Sequence, residues 1–259
     1  MVKKGDTLIE VTIAIGIFSM IAIAIASVMS SGTSGSQTAL ETTLAREEID
    51  AQAEALRFIH SSYISNRNYR SKSLTDSSKD VYQVLWEDKI TKNAITNVDD
   101  ITEELTEYNP SSCDELYNDL EDGSHQSLIQ KQHAFVLNIK QLYDENAYIY
   151  SNIEDTKNLF TPTSTYPRLV FAENPNNSNT TDSNTSLIDA KVRNNLYQAA
   201  GIYIVAVKDP GTTTIASSAN TSAFYDFYIR TCWYGTDAER PSTISTVIRL
   251  YDPSVSSSN

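Results

Sequence analysis

The sequence predicts an α+β fold, in which a long N-terminal helix precedes a β-sheet domain. Two observations give the elements: an apolar stretch near the N-terminus runs into residues with helical periodicity, and the C-terminal third carries short segments rich in Tyr, Ile, Val and Thr between Gly, Pro, Ser and Asn clusters. A third observation is the order of these elements along the chain. Because the helix comes first and the strands come last, without alternation, the α+β class is favoured over a parallel α/β sheet.

The first element is an apolar stretch at residues 11–29, which is long enough to cross a membrane. As a helix rising about 1.5 Å per residue, it covers roughly the thickness of a bilayer's hydrocarbon core. Lys3 and Lys4 precede it, whereas the first basic residue after it is Arg46. This asymmetry predicts a cytoplasmic N-terminus and an exported remainder.

Two ordinary interpretations of this stretch stay open. Residues 30–32, Ser-Ser-Gly, suit a conventional signal-peptide cleavage site, and the stretch also suits a plain uncleaved anchor. Glu10 lies directly before the apolar run, and a carboxylate at that depth must be paired or protonated. In a simple anchor, Glu10 would lie in the headgroup zone.

Residues 3–11, Lys-Lys-Gly-Asp-Thr-Leu-Ile-Glu-Val, resemble the class III signal of type IV prepilins and type II secretion pseudopilins. The shared features are the leader lysines, Gly5, the Thr-Leu-Ile-Glu motif and the apolar helix that follows. The resemblance covers roughly the first 60 residues. It implies that a prepilin peptidase cuts after Gly5 on the cytoplasmic side, and that the apolar helix is retained as an assembly stem.

The resemblance also implies roles for Glu10 and Asp6. In the family, the glutamate at the fifth mature position neutralises the free N-terminal amine of a neighbouring subunit, and after a cut at Gly5 these groups are the Glu10 carboxylate and the Asp6 amine. The family usually begins its mature chain with a methylated phenylalanine. Because Asp6 departs from that pattern, the resemblance leaves its methylation open.

A pilin-like protein has a long N-terminal helix whose second half packs on an antiparallel sheet. The implied function is a structural subunit of a type IV pilus or similar filament, and the large head favours a minor pilin. Its implied partners are other pilin subunits, the prepilin peptidase, the pilus assembly platform and the membrane. The implied location is the cytoplasmic (inner) membrane as a single-pass precursor, then a cell-surface filament. The alternatives are a type II secretion pseudopilin and a single-pass anchored binding domain or enzyme.

The residues after the apolar stretch complete the stem. Residues 30–36 are all Ser, Gly or Thr, which predicts a bend or melted turn, since these residues favour helices poorly. Residues 37–63 return to amphipathic helical periodicity without a strict heptad, so a sheet-packed helix is preferred to a coiled-coil stalk. The predicted divisions are a leader at 1–5, a membrane helix at 6–31, an amphipathic half at 32–63 and an exported head at 64–259.

The predicted secondary structure of the head differs between its first and last parts. Residues 66–160 are expected to be helical and irregular, with an acidic stretch at 99–122 and a helix at 126–143. Residues 173–186 are Asn-, Ser- and Thr-rich and are expected to form a surface loop. Four antiparallel strands are expected at 168–172, 200–208, 224–232 and 243–251.

The chain has two cysteines, Cys113 and Cys232, and the predicted topology places both outside the cytoplasm. A disulfide between them is therefore expected. It would tie the irregular part of the head to the sheet across 119 residues. Two buried free thiols are the alternative.

Charge and motifs bear on the remaining functions. With 33 acidic and 20 basic residues, the net charge is -13, which disfavours binding to nucleic-acid phosphates. His60, His125 and His133 do not form a metal-site pattern. Residues 118–123 are similar to a calcium loop, but Leu120 and Ile129 stand where such a loop needs oxygen ligands. No catalytic motif, cofactor or metal site is predicted, so we expect a protein that is not an enzyme.

Overall fold

A computed structural model describes residues 6–70, 79–96, 113, 133–143, 147–150, 160–161, 163, 165–171, 196–208, 224–235 and 241–252. It has a long N-terminal helix and a C-terminal antiparallel sheet, so the predicted α+β class is confirmed. The predicted leader with Gly5, the 173–186 loop and, apart from Cys113, the acidic stretch at 99–122 lie outside the described residues.

Helix α1 spans Asp6–Arg70 without a break. The melted turn predicted at residues 30–36 is therefore wrong. Thr33 Oγ1 donates to the carbonyl oxygen of Met29 at 2.8 Å, and Thr38 Oγ1 donates to that of Ser34 at 3.1 Å. These hydroxyls donate to carbonyl oxygens one turn earlier in the same helix, so they do not draw the backbone into a non-helical conformation. Each residue added to an existing helix also gains a backbone hydrogen bond.

A second helical segment follows and packs beside α1. Helix α2 spans Val81–Gln83 and continues as a π-helical segment over Val84–Ile90. The π-helical segment buries Leu85, Trp86 and Ile90 in the core.

In the described residues, eight strands form two sheets. The main sheet has the order β2-β1-β6-β7-β8 with every neighbouring pair antiparallel, and the small sheet has the order β3-β5-β4 with β3 parallel to β5. The strands are β1 Ala134–Leu137, β2 Tyr148–Tyr150, β3 Phe160–Thr161, β4 Arg168–Phe171, β5 Leu196–Ala200, β6 Ile202–Lys208, β7 Phe224–Trp233 and β8 Ser242–Tyr251.

The four predicted strands correspond to β4, β6, β7 and β8, and the expected antiparallel pairing holds for β6, β7 and β8. The helix predicted at 126–143 is wrong where the structure describes it, because residues 134–137 form β1. These four apolar residues are buried on both faces of the sheet. A short continuous apolar run has neither helical nor alternating periodicity, so its pattern does not separate a buried strand from a buried helix.

The core lies on both faces of the main sheet. On one face, Leu56 and Ile59 of α1 pack with Trp86 and with Phe227 and Ile229 of β7. On the other face, Val136 of β1 and Val205 of β6 pack with Leu169 and Leu196 of the small sheet. The sequence predicts that α1 covers one face of the sheet, and α1 does pack on one face of the main sheet. The small sheet covers the opposite face, over β1 and β6.

Gly201 turns the chain from the small sheet into the main sheet. It is the single residue between β5 and β6, and its φ of 69° lies in the left-handed region. A Cβ at this position would lie 2.5 Å from the Cys232 carbonyl oxygen. Glycine is therefore required there, because any side chain would collide with β7.

Candidate functional site

The most conspicuous surface of the molecule is the first half of α1, which projects from the head. Residues 8–40 are exposed apart from the half-buried Ser34, which corresponds to a rod of about 50 Å at 1.5 Å per residue. We call residues 8–40 the stem. Its exposed large apolar side chains are Leu8, Ile9, Val11, Ile13, Ile15, Ile17, Phe18, Met20, Ile21, Ile23, Ile25, Val28, Met29 and Leu40.

Exposing an apolar surface of this extent to water costs much free energy. By length and composition, α1 is the one candidate membrane-crossing helix found in the described residues, and it lies near the N-terminus. The same properties suit a membrane anchor or a signal sequence. In either case the stem must be covered by lipid or by other protein.

Glu10 is the single charged side chain between Asp6 and Glu41. It is exposed on the stem, and within the described part of the chain no cation forms an ion pair with it. Asp6, the first described residue of α1, lies about one helical turn before it. A carboxylate in an apolar surface therefore has to obtain a counter-charge or a proton from elsewhere.

Two polar side chains of the apolar stretch, Thr12 and Ser19, form hydrogen bonds within α1 itself. Thr12 Oγ1 donates to the carbonyl oxygen of Ile9 at 2.9 Å, and Ser19 Oγ donates to that of Ile15 at 2.8 Å. These local bonds remove the cost of placing hydroxyl groups in an apolar environment. Glu10, directly before the apolar stretch, differs from these hydroxyls because it carries a charge.

The stem enters the head at Glu41. The indole Nε1 of Trp233, at the end of β7, donates to Glu41 Oε2 at 3.1 Å, and Ala45 one turn later is fully buried. From there α1 crosses the main sheet. Near its far end, His60 Nε2 donates to the carbonyl oxygen of Tyr251 at 2.8 Å, and the His60 ring lies 4.7 Å from that of Trp86.

The middle of this contact is held by Gln52, which is fully buried. Its Nε2 donates to the Leu137 carbonyl oxygen, and its Oε1 accepts from the Leu137 amide, both at 2.9 Å. β1 pairs with β6 only at Ala134 and Phe135. The Gln52 side chain therefore supplies to Leu137 the two hydrogen bonds that a further strand residue would supply.

Glu48 faces the small sheet from α1. Burial raises the pKa of its carboxyl, the backbone N–H of Leu169 lowers it by hydrogen bonding, and the nearby charge of Glu47 raises it. The net shift is upward. The charged form of Glu48 is thus disfavoured in the folded head.

Cys113 and Cys232 form a disulfide with a Cα–Cα distance of 5.7 Å, as predicted. Both residues are buried, and the Cys113 amide donates to the Tyr234 hydroxyl at 2.9 Å. The bond ties Cys113 to β7, the strand whose Trp233 also contacts Glu41 of α1.

The predicted site residues fall in two separate places. Asp6 and Glu10 lie near the start of α1, the cysteines lie in the head, and Gly5 is outside the described residues. Sequence reasoning missed the polar contacts of Glu41 and Gln52. Gln52 stands among Ile49, Ala53 and Leu56 on the apolar face of α1, and a lone amide on such a face was the available signal.

The described histidines have structural partners. His60 contacts Tyr251 and Trp86, and His133 Nδ1 lies 3.0 Å from the Asn93 carbonyl oxygen. In the described residues, no group of three or more His, Cys, Asp or Glu side chains is placed to hold a metal ion. His125 lies outside the described residues.

Comparisons with known proteins give no match to a family model, to a curated protein or to a solved structure.

Proposed function

We propose that this protein is a structural subunit of a type IV pilus or a similar filament. In this proposal, residues 1–5 are a leader, a prepilin peptidase cuts after Gly5, and the stem holds the precursor in the membrane with its acidic head exported. Neighbouring stems then pack together in the filament. The large head favours a minor subunit, and catalysis is not part of the function.

The observation that carries the proposal is the stem with its one carboxylate. An apolar helix of about 50 Å projects from a head with its own two-sided core, so the stem is not needed to complete that core. Within the described residues Glu10 has no ion-pair partner. A new N-terminal amine on a neighbouring subunit supplies a cation of the right sign at the same depth.

The polar contacts at the base of the stem support the same proposal. Glu41, Gln52 and His60 each bind the main sheet, and α1 is continuous from the stem into the head. The orientation of the head is therefore fixed relative to the stem. A subunit that packs stem against stem requires such a fixed relation if its heads are to form a regular outer surface.

N-terminal sequencing and intact mass of the membrane-extracted protein test the proposal directly. We expect a mature chain that begins at Asp6 when the protein is produced together with a prepilin peptidase, and an uncut chain without the peptidase. A mature chain beginning at residue 33 would indicate a conventional signal peptide. A chain that keeps residues 1–5 in both cases would indicate a simple anchor, and either result would overturn the filament proposal.

A pseudopilin of a type II secretion system is the second candidate, because the same signal and stem serve both systems. The location of the cleaved protein separates the two. We expect it in filaments sheared from the cell surface, whereas a pseudopilin would stay with the secretion apparatus.

A further inference from the structure

We propose that β8 is a self-association strand, through which two copies of this chain in opposed membranes or filaments pair antiparallel, β8 against β8. The proposal depends on the stem being a membrane or filament anchor, but not on cleavage after Gly5.

The outer edge of β8 is long and, within the described part of the chain, carries no further strand. β8 has ten residues and stands last in the main sheet, and among the described residues it pairs with β7 alone. It contains no Pro, Gly or Lys. At the opposite edge of the sheet, β2 has three residues. Natural proteins usually shorten, twist or charge such edges, because an open edge is a template for another strand.

The one charged residue of β8 is already neutralised within its own sheet. Arg249 binds Asp226 on β7 through two hydrogen bonds of 2.7 Å, and its guanidinium lies 4.0 Å from the centroid of the Phe224 ring. Strong hydrogen bonding to Asp226 raises the pKa of Arg249, which therefore stays charged. A second strand would meet a paired residue rather than a free positive charge.

The β8 sequence is complementary to itself. In an antiparallel pair centred on Val247, Ile244 faces Leu250 on the helix side, where both pack against the core. On the other side, Ser245 faces Arg249, so no like charges oppose each other. Val247 is 50 % exposed in one copy and would meet its symmetry mate at the two-fold axis. A second copy therefore covers one of the large apolar residues that a single copy leaves exposed.

The direction of α1 shows that the two copies cannot share one membrane. Trp233, which binds Glu41, pairs with Ser242 at the start of β8, and His60 binds Tyr251 at its end. Thus α1 runs in the same direction as β8. An antiparallel β8 pair is related by a two-fold axis perpendicular to the sheet, which reverses the direction of α1. Because α1 is continuous, the two stems leave at opposite ends of the joined sheet.

Vesicle clustering tests this proposal with the full-length chain. The protein is reconstituted into phosphatidylcholine vesicles at about 0.15 M salt, where charges beyond roughly 8 Å are screened, and vesicle size is followed by light scattering. We expect wild-type vesicles to cluster and Val247→Lys vesicles to stay separate, because that change places two ammonium groups face to face. Tyr143→Lys adds the same charge at an exposed site outside β8 and should leave clustering intact.

Cross-linking tests the register and the geometry. Since the described cysteines are joined, Val247→Cys introduces a single free thiol. Tagged and untagged Val247→Cys chains are placed in separate vesicles, mixed and oxidised. We expect tagged–untagged disulfide dimers, and none from the Tyr143→Cys control.

Clustering that survives Val247→Lys, or an absence of clustering in the wild type, would overturn the proposal. Dimers that form only within one vesicle would overturn the opposed arrangement. Flotation of the protein with the vesicles measures anchoring separately. A failure of the stem to insert is thereby distinguished from a failure of β8 to pair.

Discussion

Gln52 of α1 and Leu137 of β1 exchange two hydrogen bonds, each 2.9 Å long, inside the helix–sheet contact. The Gln52 amide thus bonds to Leu137 as the backbone of a neighbouring strand would. These two bonds fix the position and rotation of α1 on the sheet, because a neutral amide can both donate to and accept from one residue only when it is well aligned.

Gln52→Ala is expected to destabilise the head by roughly 3 kcal/mol. It leaves the Leu137 amide and carbonyl buried without these partners, and each unsatisfied group costs about 1–3 kcal/mol. Urea unfolding of the detergent-solubilised chain, followed by tryptophan fluorescence, measures the change. Gln37→Ala, on the exposed stem, is the matched control and should alter stability by less than about 0.5 kcal/mol. A similar loss in both variants would show that the Gln52 bonds do not contribute.

The disulfide prediction concerns Cys113 and Cys232. Replacing both by alanine should lower stability by about 2–4 kcal/mol, since the open chain gains conformational freedom over the 119 residues that separate them. Thermal unfolding with and without a reductant measures this. The reductant should lower the Tm of the wild type and leave that of the variant unchanged. A wild-type Tm that does not respond to complete reduction would contradict the prediction.

The sequence predicted the elements whose pattern is set by local chemistry. β7 and β8 are rich in aromatic and β-branched side chains and lie between Gly, Pro, Ser and Asn clusters, so both were recognised as strands. β1 was not recognised, because burial on both faces removes the alternation. The melted turn at 30–36 failed for another reason: low intrinsic helix propensity did not outweigh elongation of an existing helix.

The stem and Glu10 were identifiable in the sequence because an isolated carboxylate stands beside an uninterrupted apolar run. The Gln52–Leu137 contact was not, since it joins residues 85 positions apart and depends on where β1 lies against α1. The direction of α1 relative to β8 likewise follows from tertiary contacts, those of Trp233 with Glu41 and of His60 with Tyr251. Sequence patterns identify elements, whereas these relations depend on how the elements pack.

Glu48→Gln should stabilise the head at neutral pH. Burial raises the pKa of Glu48, so the folded head favours the protonated form more than the unfolded chain does. The contribution of Glu48 to stability is therefore greatest below its unfolded pKa of about 4.3 and is lost as the pH rises through its folded pKa.

The denaturation midpoint of the Glu48→Gln variant should accordingly exceed that of the wild type at pH 7, and the difference should shrink below about pH 4. The amide oxygen of the variant still accepts from Leu169, so the hydrogen bond is preserved. Asp50→Asn, at an exposed position on the same helix, serves as the control. A gap that does not change with pH would contradict the prediction.

Glu10→Val should leave cleavage after Gly5 intact and reduce incorporation into filaments by at least about tenfold, since loss of a desolvated charge pair leaves the neighbour's amine unpaired. Glu10→Gln keeps the size of the side chain and removes its charge, so it should show the same defect. Ser19→Val, also on the exposed apolar stretch, removes a hydroxyl that bonds only within its own helix and should assemble normally. Mass spectrometry of the membrane fraction measures cleavage, and immunoblotting of sheared filaments measures incorporation. If both Glu10 variants enter filaments at the wild-type level, Glu10 is not the assembly contact. This conclusion would hold whether or not cleavage after Gly5 is observed.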